Sequence, residues 1–161
     1  MAAPSFMLRQ VAADAGGVLT GSGGIEAAGF STDTRALARG ACHVAIRGPR
    51  FDGHDFVAEA FAGGAVAAIV EREPPPGAAL GPVIRVADAV AALGRIAAAH
   101  RDRLAARVVA VTGSNGKTTT KEMIAHILSG RLRVARAVKS FNNAIGVPLT
   151  IFRMKNSTQV G

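Results

Sequence analysis

The residues best placed to do chemistry form one short run, Gly113, Ser114, Asn115, Gly116, Lys117, Thr118 and Thr119. An apolar stretch from Arg107 to Thr112 leads into it, and an amphipathic stretch from Lys117 to Ser129 leaves it, stopped by Gly130. Two glycines let the backbone turn tightly with its N–H groups facing inward, and the following helix N-terminus adds partial positive charge. Together these make a nest for phosphate oxygens. Lys117 can reach the β and γ phosphates of a nucleotide, and the Thr118 hydroxyl stands where it can ligate Mg2+. The general phosphate-loop pattern also wants a glycine where this chain has Val111. The alternative reading is therefore an ordinary Gly-rich turn with a solvated lysine. Phosphate binding implies a nucleotide and leaves the reaction open.

Elements must hold this loop, and the pattern supplies them. Ser5 to Ala15 reads as a short helix with Phe6, Leu8, Val11 and Ala12 on one face. The stretch GGVLTGSGG is turn-rich. Ala41 to Ile46 reads as a buried strand, 54–62 as a helix and Ala65 to Val70 as another strand. Pro74, Pro75 and Pro76 cannot continue a helix or a central strand, so a domain boundary is expected near them. Then follow a strand over Val83 to Val86, a helix capped by Asp88 and running to about Leu104, a strand over Arg107 to Thr112, the helix from Lys117, and a strand over Val134 to Val138. Alternation of this kind predicts an α/β fold: a small N-terminal α/β domain over 1–82, then the start of a parallel-sheet phosphate-loop domain over 83–161.

Composition narrows the class without naming a function. The formal charge is +8, compatible with a solvated basic face or with phosphorylated small molecules. The arginines are scattered and not interleaved with aromatics, so a nucleic-acid surface is not expected. Cys42 is the single cysteine and sits in an apolar run, which suits a small core residue better than a nucleophile. There is no signal-peptide core and no apolar run of membrane-spanning length. A cytoplasmic monomer is the expectation. His43, His100 and His126 fall in no motif.

Three segments, in order and at matching spacing, resemble the Mur ligases. The loop A-V-T-G-S-N-G-K-T-T-T-K-E-M has that family's shorter glycine spacing. F-N-N-A-I-G-V-P-L-T, Phe141 to Thr150, resembles the segment that follows the loop in those enzymes, although Lys139 and Ser140 stand where a Gly-Asn pair is expected. Upstream, S-T-D-T-R and G-A-C-H-V-A-I-R-G-P-R-F-D-G-H-D-F resemble the N-terminal substrate domain. K-E-M and N-N-x-I-G-V-P-L-T point within the family to the member that joins D-alanyl-D-alanine to UDP-N-acetylmuramoyl-tripeptide in cell-wall synthesis. The member that adds the third amino acid is the alternative. So are a non-catalytic nucleotide-binding module and an unrelated kinase.

The resemblance implies a reaction and a set of roles. ATP phosphorylates the peptide carboxylate to an acyl phosphate, and the amine of D-alanyl-D-alanine displaces phosphate. Two anions must meet, so Mg2+ and Lys117 must offset their repulsion. Gly113 to Thr119 would bind ATP, with Thr118 on the metal, and Asn142 and Asn143 would lie near the γ-phosphate. The alternative for either asparagine is a turn residue or helix cap. Thr32, Asp33, Thr34 and Arg35 would meet the UDP portion, joined by Arg47, Gly48, Phe51, Asp52, Gly53 and His54. By themselves Asp33 is a turn residue and His54 a helix-start or surface histidine. Family members run to several hundred residues in three domains. The resemblance therefore implies an inactive front part, with the rest of the central domain and the C-terminal domain absent.

Overall fold

The computed structural model describes residues 4–77, 81–137 and 143–161. The chain divides into two compact units, Met1–Ile96 and Ala97–Gly161. The α/β class and the parallel sheet expected from the alternating pattern are both present.

The first unit contains β1 (Phe6–Met7), α1 (Leu8–Ala15), β2 (Val18–Thr20), β3 (Glu26–Ala27), β4 (Phe30–Ser31), β5 (Cys42–Val44), α2 (Val57–Ala62), β6 (Ala67–Val70), β7 (Val83–Arg85) and the first part of α3 (Ala89–Asp102). Its main sheet has five strands in the order β2-β7-β6-β5-β4. Strands β4 to β7 are mutually parallel, and β2 closes one edge antiparallel to β7. All residues of β5 and β6 are buried, as expected for parallel strands covered on both faces. Leu8, Val11, Ala12 and Ala15 are the buried stripe of α1, at helical spacing. That helix ends where Gly16 turns left-handed at φ 64° and its N–H reaches back to the carbonyls of Ala12 and Ala13. Asp88 Oδ1 accepts the Ala91 N–H at 2.9 Å and so caps α3 as its sequence suggests. Leu93 and Ile96 of α3 are fully buried, each contributing about 1.5–3 kcal/mol.

Some elements differ from the pattern-based expectation. Phe6 and Met7 do not start the helix; they pair with β3, and the Phe6 ring meets Phe30 edge-on at 5.0 Å. The turn-rich GGVLTGSGG stretch contains β2. The proline-rich residues 71–82 connect β6 to β7, which lies in the same sheet between β6 and β2.

The second unit holds the rest of α3, α4 (Lys117–Ser129) and α5 (Gly146–Ile151). Its sheet is a set of single bridges. Val160 bridges in parallel to both Arg107 and Val134, so residues 159–161 lie between 107–109 and 133–135. The expected strands over 107–112 and 134–138 reduce to these contacts among the described residues. Thr158 and Val160 are buried, so the polar closing segment is folded in rather than loose. Leu104, Ala106 and Met154 form a small core with Ala135 and Ile151 against it. Val108, Val109, Met123, Ile127 and Val147 are exposed, leaving this unit with an open apolar surface.

Candidate functional site

In the second unit the Gly-rich run forms a tight loop into α4. Gly113 has φ 141° and Gly116, the N-cap of α4, has φ 75°. Both lie in the region that side chains disfavour, so glycine is required for the turn. Lys117 is the first residue of α4. Its ammonium folds over the loop and donates to the carbonyl oxygens of Gly113 and Ser114, the latter at 3.2 Å. The loop and the hydroxyl-bearing Thr118 and Thr119 are exposed. A half-buried cation whose hydrogen-bond partners among the described residues are two carbonyls, over a glycine turn at a helix N-terminus, fits phosphate oxygens. Thr118, the second residue of α4, carries an exposed hydroxyl beside this turn. Beside the loop opens a cavity of about 570 Å³, lined by Gly113, Lys117 and Thr118 and by apolar side chains including Val111, Ile124 and Leu128.

Glu122 is the last acidic residue of the sequence. Its carboxylate pairs with Lys121 at 3.1 Å and with Arg136. Its pKa is lowered, chiefly by the hydrogen bond from Lys121. Asn143 Oδ1 accepts the N–H groups of Ile145 and Gly146 at 3.2 and 2.7 Å, so its side chain caps α5. Asn142 lies outside the described residues.

In the first unit the other candidates gather at one sheet edge. Strands β4, β5, β6 and β7 are parallel, so the loops after them lie at the same edge, where open α/β sheets bind ligands. The loop after β4 is self-braced. Asp33 accepts from Arg35 Nε at 2.9 Å and Nη2 at 2.7 Å, and from the Arg35 N–H at 3.0 Å. The Arg35 side-chain bond is the main cause holding the Asp33 pKa down at about 2. Thr34 Oγ1 donates to Glu59 of α2 at 2.6 Å, and Thr32 is half-buried.

The loop after β5 doubles back on itself. Arg47 and Asp52 face each other in an antiparallel bridge, and Gly48 N–H donates to Phe51 O at 2.9 Å. Gly53 is required by close approach: a Cβ there would lie 2.6 Å from Ile46 N and 2.9 Å from Ala45 Cα. Phe51 is 72% exposed, and Arg47 is also on the surface.

Asp52 and His54 turn inward. Asp52 accepts the His54 N–H at 3.0 Å, His54 Nδ1 at 2.6 Å, Arg72 Nη1 at 3.0 Å and Arg47 Nε at 3.4 Å. Its pKa falls well below the usual carboxylate range, led by the backbone and side-chain bonds from His54. His54 is buried, and its Nε2 receives the Glu71 N–H at 2.9 Å. A nitrogen that accepts carries no proton, so the network assigns the proton to Nδ1, facing Asp52.

His43, which no motif singles out, is buried on β5, and its Nε2 bonds Gly53 O at 3.2 Å. Burial lowers its pKa, and its Nδ1 has no partner among the described residues. Cys42 is buried, which pushes its thiol up to about 12, consistent with a core role.

Sequence reasoning missed Glu71 and Arg72. Arg72 reaches both Asp52 and Asp55, at 3.0 and 3.4 Å. The signal was their position just past a parallel strand, at the edge that carries both motif loops.

Two family models match the chain: the Mur ligase family, catalytic domain, over residues 26–101, and the Mur ligase middle domain, over residues 111–161. The chain is 43% identical over 132 residues to the UDP-N-acetylmuramoyl-tripeptide–D-alanyl-D-alanine ligase of Bacillus subtilis, covering 82% of this chain and 29% of that protein. It is 48% identical over 124 residues to the enzyme of the same description from Escherichia coli, covering 77% of this chain and 27% of that one. A crystal structure of MurF from Acinetobacter baumannii superposes with a TM-score of 0.89 at 33% identity, over 99% of this chain and 35% of that one. The MurF ligase of Thermotoga maritima in complex with ADP gives a TM-score of 0.71 at 34% identity, over 81% of this chain and 30% of that one. The chain thus spans under a third of the length of these two curated relatives. With both family models matched in order, over the two regions that carry the phosphate loop and the loops at the sheet edge, the chain belongs to the Mur ligase family.

Proposed function

We propose that this chain carries the UDP-binding unit and the phosphate loop of an ATP-dependent ligase that joins D-alanyl-D-alanine to UDP-N-acetylmuramoyl-tripeptide in peptidoglycan synthesis. The observation that carries the reading is the turn at Gly113–Gly116 with Lys117 folded over it. It supplies backbone N–H groups, a helix N-terminus and one mobile cation to the same point. The matched relatives are described as ligases with these two substrates, and one solved neighbour holds ADP.

The residues divide the work. Gly113 to Gly116 cradle phosphate oxygens, and Lys117 exchanges its carbonyl partners for them. Thr118 offers its hydroxyl to Mg2+, which when bound neutralises the charge between nucleotide and carboxylate. Thr119 follows it in the first turn of α4. Asn142 and Asn143 follow this site in sequence; Asn143 sets the start of α5 there. In the first unit Thr32 to Arg35, with Arg47, Gly48, Phe51, Asp52, Gly53 and His54, form the UDP site. Arg35 and Arg47 present forked donors suited to a diphosphate, and Phe51 offers a face to a base. Phosphorylation turns the carboxylate oxygen into a leaving group that an amine can displace. A monomer working on soluble nucleotides belongs in the cytoplasm, and no helix among the described residues is long and apolar enough to cross a membrane.

Calorimetry on the 161-residue chain tests the reading. UDP-N-acetylmuramoyl-tripeptide should bind more tightly than UMP, and Lys117→Ala should weaken ATP–Mg2+ binding about tenfold or more while leaving the UDP ligand unaffected. Equal ATP binding by the parent and Lys117→Ala would count against the phosphate assignment. Absence of heat and of NMR shifts near Asp33 and Arg47 at millimolar UDP ligand would sink the substrate assignment.

A further inference from the structure

We propose that Glu71 and Arg72, the two residues directly after β6, are positioning residues that hold the loop after β5 in its ligand-facing form. The inference rests on the reading of that loop as part of the UDP site.

The geometry gives the pair three attachments. The Glu71 backbone N–H donates to His54 Nε2 at 2.9 Å, and His54 Nδ1–H donates to Asp52 Oδ1 at 2.6 Å. Arg72 takes the other Asp52 oxygen with Nη1 at 3.0 Å and reaches Asp55 Oδ1 with Nη2 at 3.4 Å. One carboxylate oxygen of Asp52 is therefore held directly from the β6 side by Arg72, and the other through His54, whose far ring nitrogen Glu71 holds. The third attachment is the Glu71 side chain, whose Oε1 accepts the Ala89 N–H at 2.9 Å, the first residue of α3. One dipeptide thus ties the doubled-back loop to the start of a helix whose Leu93 and Ile96 are fully buried.

This arrangement separates two kinds of residue within one motif. Asp52 and His54 spend their polar atoms on other groups of the protein. Arg47, Arg50 and Phe51 remain on the surface of the same loop. A loop that must present an arginine fork to a diphosphate gains affinity when its conformation is set in advance. Glu71 and Arg72 set it without touching the ligand. Parallel register brings them there: Val44 pairs with Ile69, so the chain leaving β5 and the chain leaving β6 emerge side by side.

The test uses the 161-residue chain and two measurements. Amide hydrogen exchange followed by NMR reads the clasp without any ligand. The Glu71 and Ala89 amides should be protected in the parent. Glu71→Ala should speed exchange at Ala89 about tenfold or more, and Glu71→Gln, which keeps an acceptor oxygen, should restore protection. Calorimetry with UDP-N-acetylmuramoyl-tripeptide reads the consequence. Arg72→Ala should weaken binding about tenfold, and Arg72→Lys should recover only part of it, because an ammonium cannot span two carboxylates as a guanidinium fork does. Thermal melts confirm that each variant is folded. Rapid exchange at Glu71 and Ala89 in the parent overturns the clasp. So does parent-like affinity in Arg72→Ala. If the parent fails to bind the UDP ligand while both amides are protected, the clasp stands and the UDP reading fails.

Discussion

At the scale of single residues, the hydrogen bonds to Asp52 bear on the acid behaviour of the first unit. Its folded pKa lies below the unfolded value of about 3.9. A depressed carboxylate stabilises the fold fully above the unfolded pKa, and that contribution is lost as pH falls through the folded one. Urea unfolding should therefore show stability level near neutrality and falling below about pH 4, with Asp52→Asn less stable at pH 7 by about 1–2 kcal/mol and flatter in acid. An equally steep acid limb in Asp52→Asn would refute this. Asp33 is shifted in the same direction, but its partner Arg35 is 86% exposed, so that pair adds little to stability. Residue types in a row are enough to find Lys117 and its glycines, because the chemistry of a phosphate turn is contiguous in sequence. They do not reveal that His54 is committed to Asp52 and Glu71. A side chain's partner is decided by what the fold brings to it. Arg72 stands 20 residues from Asp52 along the chain and was invisible for that reason.

At the scale of elements, the loop after β5 depends on Gly53. A methyl group there meets backbone atoms of Ala45 and Ile46, which cannot swing aside as a flexible side chain could. Gly53→Ala should cost about 2–3 kcal/mol by pushing the turn off β5 and breaking the His43 contact to its carbonyl. A lowered melting temperature with loss of UDP affinity would agree; a parent-like melt would refute it. Helices α3 and α4 were legible within a few residues, since caps and apolar spacing are local signals. Short strands were not. Phe6 and Met7 continue a helical pattern, yet pairing with β3 wins, and β2 hides among glycines because an edge strand needs little apolar content. The three prolines break regular structure as expected, but they break it between neighbouring strands of one sheet. A crossover between parallel strands needs chain length and no helix in particular.

At the scale of the whole molecule, the Gly-rich turn and the loops proposed to bind UDP belong to different compact units. Phosphoryl transfer at the turn also needs an acidic group to position the metal. No Asp or Glu follows Glu122, and Glu122 is already paired with Lys121 and Arg136. The 161-residue chain should therefore release no ADP when given ATP, Mg2+, UDP-N-acetylmuramoyl-tripeptide and D-alanyl-D-alanine. Substrate-dependent ADP release in a coupled assay would show that these residues suffice.

The position of Val160 bears on how the chain folds as it is made. The first unit has all its strands once Arg85 has been synthesised. Residues 107–109 and 133–135 have no mutual bridge; each meets the segment around Val160. Both must wait for a stretch that leaves the ribosome long after them, with the phosphate turn already extruded between. Such late, distant pairing makes folding slow and leaves apolar chain exposed in the interval. The unit with the Gly-rich turn therefore completes its pairing later in synthesis than the sheet ahead of it.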